Sequence, residues 1–265
     1  MSLEATNHLE KILSEYRSFD IGDTLTRGYE IWKKDIWSYM GFFILYMIII
    51  MGLSMIPIAG QLATSILIGP ALTLGAAIFA YRLYSKDNAE FSNFFDGFAH
   101  WQQIAILGII TSIISIILLS PIIFSLGWSI IADGGASLLT EGFDNLTFST
   151  LSKVGIGISV LLLVYFSVCI SFAVHFIGFF EVDAINAIKY SFKFVNRHWL
   201  WVFLYMIVAG IAACLGMILL LIGIIITAPL VYAFQFAAFD ELTAVTEYFN
   251  KSDENDQVNI DEMFG

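Results

Sequence analysis

Long apolar runs separated by short polar stretches set the pattern of this chain. A helix needs about 20 mostly apolar residues to cross roughly 30 Å of hydrocarbon, and a charge inside such a run is costly. Two runs, about Trp37–Ile58 and Leu62–Tyr81, read as a helical hairpin closed by the tight turn Ala59-Gly60-Gln61. A third span is expected over about Ile104–Leu126 and a fourth over about Val154–Phe180. From Trp199 to Phe239, 41 residues pass without one Lys, Arg, Asp or Glu, enough for two spans divided by a turn near Leu221-Ile222-Gly223. The pattern therefore predicts an all-α, polytopic membrane protein of about six transmembrane helices.

Shorter segments with helical spacing precede two of the outward runs. Ile21, Leu25, Gly28, Trp32 and Ile36 fall on one face, opposite Asp23, Arg27, Glu30 and Lys34, and Asp20 is placed to cap the N-terminus. Ile185, Ile188, Phe192, Val195 and Trp199 repeat the arrangement opposite Asn186, Lys189, Lys193 and Arg197, with Asp183 as the cap. Both read as amphipathic helices lying in the membrane interface. The aromatic series Phe91, Phe94, Phe95, Phe98 and Trp101, ahead of the third span, is expected to do the same, as an anchor or as a headgroup or partner surface.

The two segments align. A shift of 163 residues lays Asp20 on Asp183, Gly28 on Ser191 and Lys34 on Arg197; with four residues dropped, Pro70 lies on Pro229. An internal repeat follows, with units at about 20–81 and 183–239, each an amphipathic helix, a span, a turn and a span with proline near its start. Both units start on the same side, so the repeat is parallel.

Composition agrees with the membrane reading. Of 265 residues 58% are hydrophobic and 13% charged, against roughly 25% charged in a soluble domain, and mean hydropathy is +0.82. Basic residues mark the cytoplasmic side. Eleven of the 12 lie in the termini and the connections after spans two and four, leaving only Lys153 opposite. The expected orientation is that of a multi-pass membrane protein with both termini cytoplasmic. The first 36 residues carry charges throughout and do not read as a cleaved signal. From Asp240 onward, eight acids against Lys251 supply −7 of the net −11, so the tail over 246–265 is read as an acidic cytoplasmic extension. Residues 1–18 read as a cytoplasmic N-terminal helix and 19–245 as the membrane domain.

Candidate chemistry is sparse. The six runs contain no Asp, Glu, Lys or Arg, where an ion or proton pathway would need them. His175, near Glu181, reads as a hydrogen-bonded packing residue. His8, His100, His175 and His198 lack the close spacing of a metal-ligand pair. Nucleophile-elbow, P-loop and dinucleotide motifs are absent, and Gly155-Ile156-Gly157 reads as a helix-packing site. Small residues at Ala71, Gly75, Ala76 and Ala80, and at Ala209, Ala212, Ala213 and Gly216, permit close helix approach. Thr111, Ser112, Ser115 and Ser120 with Pro121 either line a cavity or bond back to their own helix. The connection with Asp133-Gly134-Gly135, Glu141 and Asp144 reads as a solvated loop. No cofactor, metal or nucleic acid is expected. The expected partners are the lipid bilayer and a cytoplasmic protein at the acidic tail or the amphipathic helices; the oligomeric state is open.

Four short motifs carry a resemblance: Arg27-Gly28-Tyr29-Glu30-Ile31-Trp32-Lys33-Lys34, Gly69-Pro70-Ala71-Leu72, Phe94-Phe95-Asp96-Gly97-Phe98 and Ala187-Ile188-Lys189-Tyr190-Ser191-Phe192. Over about residues 19–245 the chain resembles bacterial six-span membrane proteins of unknown function, which are similar to the membrane domain fused to some glycerophosphodiester phosphodiesterases. The resemblance implies the membrane fold without the catalytic domain of those fusions. Some relatives carry an oxygenase label that requires a four-histidine iron centre, which the scattered histidines here do not supply. The function expected is a non-enzymatic scaffold, regulator or accessory subunit. The alternative is a carrier or flippase for a lipid or other apolar molecule, with spans kinked at Pro70 and Pro229 around a cavity.

Overall fold

A computed structural model describes residues 3–15, 18–86, 89–132, 150–216 and 222–254. Among them there is no strand. The helices are α1 (Leu3–Ser14), α2 (Ile21–Lys34), α3 (Ile36–Ser54), α4 (Ala59–Ser85, with a π turn over Thr64–Ile68) and a 3-10 helix (Phe91–His100) that runs into α5 (Trp101–Ala132). They continue as α6 (Thr150–Ile170), α7 (Ala173–Phe180), α8 (Ala184–Arg197), α9 (Trp199–Leu215), α10 (Ile222–Thr227), α11 (Leu230–Thr243) and α12 (Val245–Glu254).

Five stretches are long and apolar enough to cross a membrane: Ile36–Ser54, Ala59–Ser85, Phe91–Ser125, Ser152–Phe180 and Gly223–Thr243. A sixth is reached when α8 and α9, bent by 93°, are taken as one span. Burial sorts the spans. Over an 18-residue apolar stretch of each, Ile36–Ser54 and Phe91–Ser125 are 11% buried, whereas Ala59–Ser85, Ser152–Phe180 and Gly223–Thr243 are 44–50% buried, the burial of Ser152–Phe180 lying mostly in α7. An apolar helix that leaves most of its side chains uncovered is built to face lipid. Outer and inner spans therefore alternate along the chain, which is an all-α polytopic membrane protein.

Two compact units are present, residues 1–108 with 169–265, and residues 109–168. The described residues of the second are 109–132 of α5 and 150–168 of α6, whose Ile113, Ile116, Ile117 and Leu161 are exposed. Ser120 there donates its hydroxyl to the Ile117 carbonyl at 2.7 Å, the backbone-directed option for that polar series. Among the described residues an added Cβ at Gly155 or Gly157 would meet nothing within 4 Å.

The first unit is organised by three short helices, each leading into an outer span and each packed on an inner one. Helix α2 lies on α11, the 3-10 helix on α4, and α8 on α7. The inner helices also touch one another: α4 packs on α7 and α11, and Phe176 and Phe179 of α7 meet Phe239 of α11 at 5.1 and 5.7 Å between ring centroids. The far end of α4 closes the hairpin with α3, at Met55–Ile58 and not at the expected Ala59-Gly60-Gln61. Gly60 belongs to α4, where a Cβ would fall 1.8 Å from the Leu53 carbonyl oxygen. That glycine serves close approach rather than the turn. Of the expected turn at 221–223, Ile222 and Gly223 are helical and Leu221 lies outside the described residues, as do residues 133–149 and 255–265 and the side chain of Trp128.

Candidate functional site

The three packing joints carry most of the residues singled out in the sequence. At the first, Asp20 caps α2, accepting the Asp23 N–H at 3.0 Å. Gly28 faces α11: a Cβ there would stand 2.5 Å from Phe234 Cδ1 and 2.9 Å from its Cα. Arg27 then reaches three carboxylates. Its Nη1 lies 3.1 Å from Asp240 Oδ2, its Nε lies 2.9 Å from Asp23 Oδ2, and its Nη2 binds Glu241 Oε2. Asp240 Oδ1 also accepts the Thr246 N–H at 2.8 Å, which holds the start of α12. The buried face of α2 is Thr24, Gly28, Ile31 and Trp32. The expected stripe was wider and centred elsewhere, because the small residues decide which side can approach α11, leaving Ile21 and Leu25 only half-buried.

At the second joint the backbones of two helices meet. A Cβ at Gly97 would fall 2.0 Å from the Ala71 carbonyl oxygen, and one at Gly75 would fall 1.9 Å from the Phe94 carbonyl oxygen. Phe94 is fully buried between Phe42 and Phe79, stacked at 4.2 and 4.1 Å. The aromatic series is therefore no free interfacial helix, although Phe91 and Trp101 at its ends are exposed. Two close-approach glycines explain this, since without Cβ atoms the segment can sink into the fold. Asp96, the residue before Gly97, lies 3.7 Å from Arg82 and accepts the Asn93 side-chain amide at 2.8 Å.

At the third, Asp183 caps α8, accepting the Asn186 N–H at 3.3 Å and its side-chain amide at 2.6 Å. Although burial opposes it, these hydrogen bonds hold the Asp183 carboxyl below its ordinary value. Ser191 is buried and donates to the Cys169 carbonyl, in the last turn of α6, at 2.6 Å. Gln235 donates to the Ser171 carbonyl at 3.2 Å. No ion pair joins α8 to α7 among the described residues; Tyr190 stacks on Phe176 at 5.9 Å instead.

The prolines sit in unlike surroundings. Pro70 lies inside continuous α4, just after the π turn, and Gly69 N–H bonds back to the Thr64 carbonyl. Lacking an N–H, Pro70 leaves the Ile66 carbonyl without its helical donor. Gly108 of α5 lies against that carbonyl, where a Cβ would come within 2.2 Å. The freed carbonyl thus faces a helix contact. Pro229 is the N-cap residue of α11, outside the helix interior where its missing N–H would break the ladder.

His175 is fully buried between Phe172 and Phe239, at 5.8 and 5.1 Å between centroids, and neither ring nitrogen has a hydrogen-bond partner among the described residues. The expected hydrogen bond is replaced by ring packing. His8 of α1 instead stacks on Phe180 and meets the tilted ring of Tyr248, with Nε2 2.9 Å from the Thr243 carbonyl oxygen. Among the described residues no three His, Cys, Asp or Glu side chains converge on a metal position. Beside the first joint, Arg27, Tyr84, Asp240, Glu241, Thr246 and Glu247 line an open polar cleft of about 510 Å³.

Reading the sequence missed the second joint as a counterpart of the other two. The signal is a small residue followed by an aromatic one: Gly28-Tyr29, Gly97-Phe98 and Ser191-Phe192. A fixed shift hides it, because eight residues separate Gly28 from Ile36 and Ser191 from Trp199, but only four separate Gly97 from Trp101. By fold the chain is a polytopic helical membrane protein whose inner spans are clasped by short helices. No family model, no curated protein and no solved structure matches the chain.

Proposed function

We propose that this chain is a non-enzymatic scaffold, regulator or accessory subunit of the bacterial inner membrane, with both termini cytoplasmic. The observation that carries the reading is what fills its inner helices. Tyr81, Phe179, Phe236, Phe239 and Phe249 are all buried within 2% of full coverage and pack ring on ring where a carrier would need polar groups or space. By contrast Glu4 and Glu10 of α1, Glu15 just after it and Glu247 of α12 are exposed, Glu247 at the polar cleft. A basic segment of a cytoplasmic protein fits that surface.

The chain is further read as an internal duplication over about 20–81 and 183–239. Support comes from equal helices at equal spacing: α2 and α8 are both 14 residues long and start 163 residues apart. The four buried positions of α2, moved by the same 163, are Ala187, Ser191, Phe194 and Val195, all buried in α8.

Native mass spectrometry of the full chain from mild detergent tests the function. A stoichiometric protein partner is expected, with loss of that partner when residues 255–265 are removed. A chain recovered alone from every growth condition rejects it. Cysteines placed at Ser14 and Asn250 should react with an impermeant thiol reagent only from the cytoplasmic side, and one at Lys153 only from the other.

A further inference from the structure

The basic residues of the first unit divide by use. Arg27 and Arg82 are held in ion pairs across joints. Lys34 donates to the Leu83 carbonyl at 2.9 Å, and Arg197 donates to the Leu13 carbonyl at 2.6 Å. Lys11 and Lys251 pair with Glu15 and Glu247 four residues away. Lys33, Lys189 and Lys193 are exposed and have no carboxylate partner among the described residues. All three lie on helices that precede a span.

Lys193 Nζ lies 5.8 Å from the Tyr190 ring centroid, and helix α8 shows what else Lys189 and Lys193 face. Its buried side is Ala184, Ala187, Ser191, Phe194 and Val195. At 100° per residue, Ile188, Phe192 and Ile185 form one edge of the remaining surface, and Lys189 and Lys193 form the strip next to it. Ile185 is 55% exposed, and Ile188 and Phe192 are half-buried. Helix α9 leaves at 93°, with Leu200 and Trp201 more than half exposed in its first turn. With α9 along the membrane normal, α8 lies in the membrane plane. Its apolar edge then meets the acyl boundary and its lysines reach the phosphate level, as snorkelling lysines do. Helix α2 presents the same edge 163 residues earlier, with Leu25 half-buried, Tyr29 48% exposed, and Lys33 one turn beyond. Trp37 stands exposed at the start of the following span.

We infer that Lys189 and Lys193, with the Ile188–Phe192 edge beneath them, form a binding surface for the headgroups of anionic phospholipids. Charge complementarity selects that occupant. A zwitterionic headgroup presents the lysines with its own ammonium, whereas phosphatidylglycerol offers a net negative phosphate at the depth the lysines reach. The surface differs from the acidic one on α1 and α12, so the inference stands apart from the scaffold reading.

The test is native mass spectrometry of the full chain equilibrated with equal amounts of phosphatidylglycerol and phosphatidylcholine. The unaltered protein should retain phosphatidylglycerol preferentially. The preference should fall about fivefold for each of Lys189→Gln and Lys193→Gln, stay with Lys189→Arg plus Lys193→Arg, and be untouched by Lys251→Gln. Retention that ignores headgroup charge, or a preference unchanged in the double Gln variant, overturns the inference. So does loss of the lipid preference when inorganic phosphate at equal ionic strength replaces chloride, because the lysines would then hold a free anion. If the double Gln variant fails to fold, the double Arg variant decides: loss of preference there, with folding intact, also overturns it.

Discussion

Glycines 28 and 97 are the residues on which the joints turn, and they differ in what opposes them. A methyl at position 97 would meet the Ala71 carbonyl oxygen and the Gly75 nitrogen at 2.0 and 2.8 Å, both backbone atoms that cannot swing aside. At position 28 the first obstacle is the Phe234 ring, with backbone behind it at 2.9 Å. Gly97→Ala should therefore cost several kcal/mol and Gly28→Ala a little less, in the range of overpacked cores at about 1–3 kcal/mol or more. Gly210→Ala, where nothing lies within 4 Å, should be neutral or stabilising by up to about 1 kcal/mol from helix propensity. Thermal unfolding of the three variants in detergent checks the order. A second residue-scale expectation concerns Asp183. Its carboxyl titrates below the ordinary 3.8 in the folded chain. The ionised group thus stabilises above about that pH, and its contribution disappears as pH falls through the folded value. Asp183→Ala should lower stability by about 1 kcal/mol near neutral pH, as loss of an N-cap does, and the gap from the unaltered protein should close on acidification. A gap that holds constant from pH 6 to pH 3 removes the ionised carboxylate from the explanation.

Between elements, the charges specify which short helix takes which inner helix. In each ion-paired joint the residue before the small one makes the pair: Arg27 to Asp240 and Glu241, and Asp96 to Arg82. The signs are reversed between the two joints. Were α2 to pack on α4, Arg27 would face Arg82; were the 3-10 helix to pack on α11, Asp96 would face Glu241. Repulsion between partly buried like charges therefore excludes the exchanged arrangement, a specificity device independent of the attraction in the correct one. Arg82→Glu should lower stability by about 3–5 kcal/mol, because it leaves two carboxylates together where an ion pair is only 12–16% exposed. Combining it with Asp96→Arg should restore a large part. Unfolding of the singles and the double gives the coupling energy, and strictly additive losses would show that the pair does not specify the joint. Little of this was legible in sequence. Periodicity located α2 and α8 and both aspartate caps, since those signals are local. The apolar pattern could not say that Phe94 sinks between two rings while Phe192 stays at an edge, because both follow the same spacing. That choice is made by Gly75 and Gly97, 22 residues apart in sequence.

At the scale of the first compact unit, the three joints close on themselves. Each short helix starts one outer span and packs on an inner helix from another segment: the 3-10 helix returns to α4, α8 to α7, and α2, near the beginning, reaches α11, near the end. An open stack of the same parts would hold its terminal segments by one neighbour only, and damage would stay near its source. Here the last inner helix is bound to the first short helix, and α4 touches both α7 and α11, so no segment is terminal. The unit should therefore lose structure cooperatively. Gly28→Ala acts on the α2 joint with α11 and leaves the α8 joint with α7 unaltered. In hydrogen exchange of the variant in detergent, protection should nevertheless fall in α7 over Ala173–Phe180 as well as in α11, and to a similar degree. Loss confined to α2 and α11 would mean that the joints act as separate clasps. The Phe239 ring provides the physical route: it packs on Phe176, Phe179 and Phe180 of α7 from the same helix whose Phe234 backs onto Gly28. A displacement of α11 by the width of one methyl group cannot leave that aromatic contact intact, since close-packed rings at 5.1–6.3 Å have no slack to absorb it.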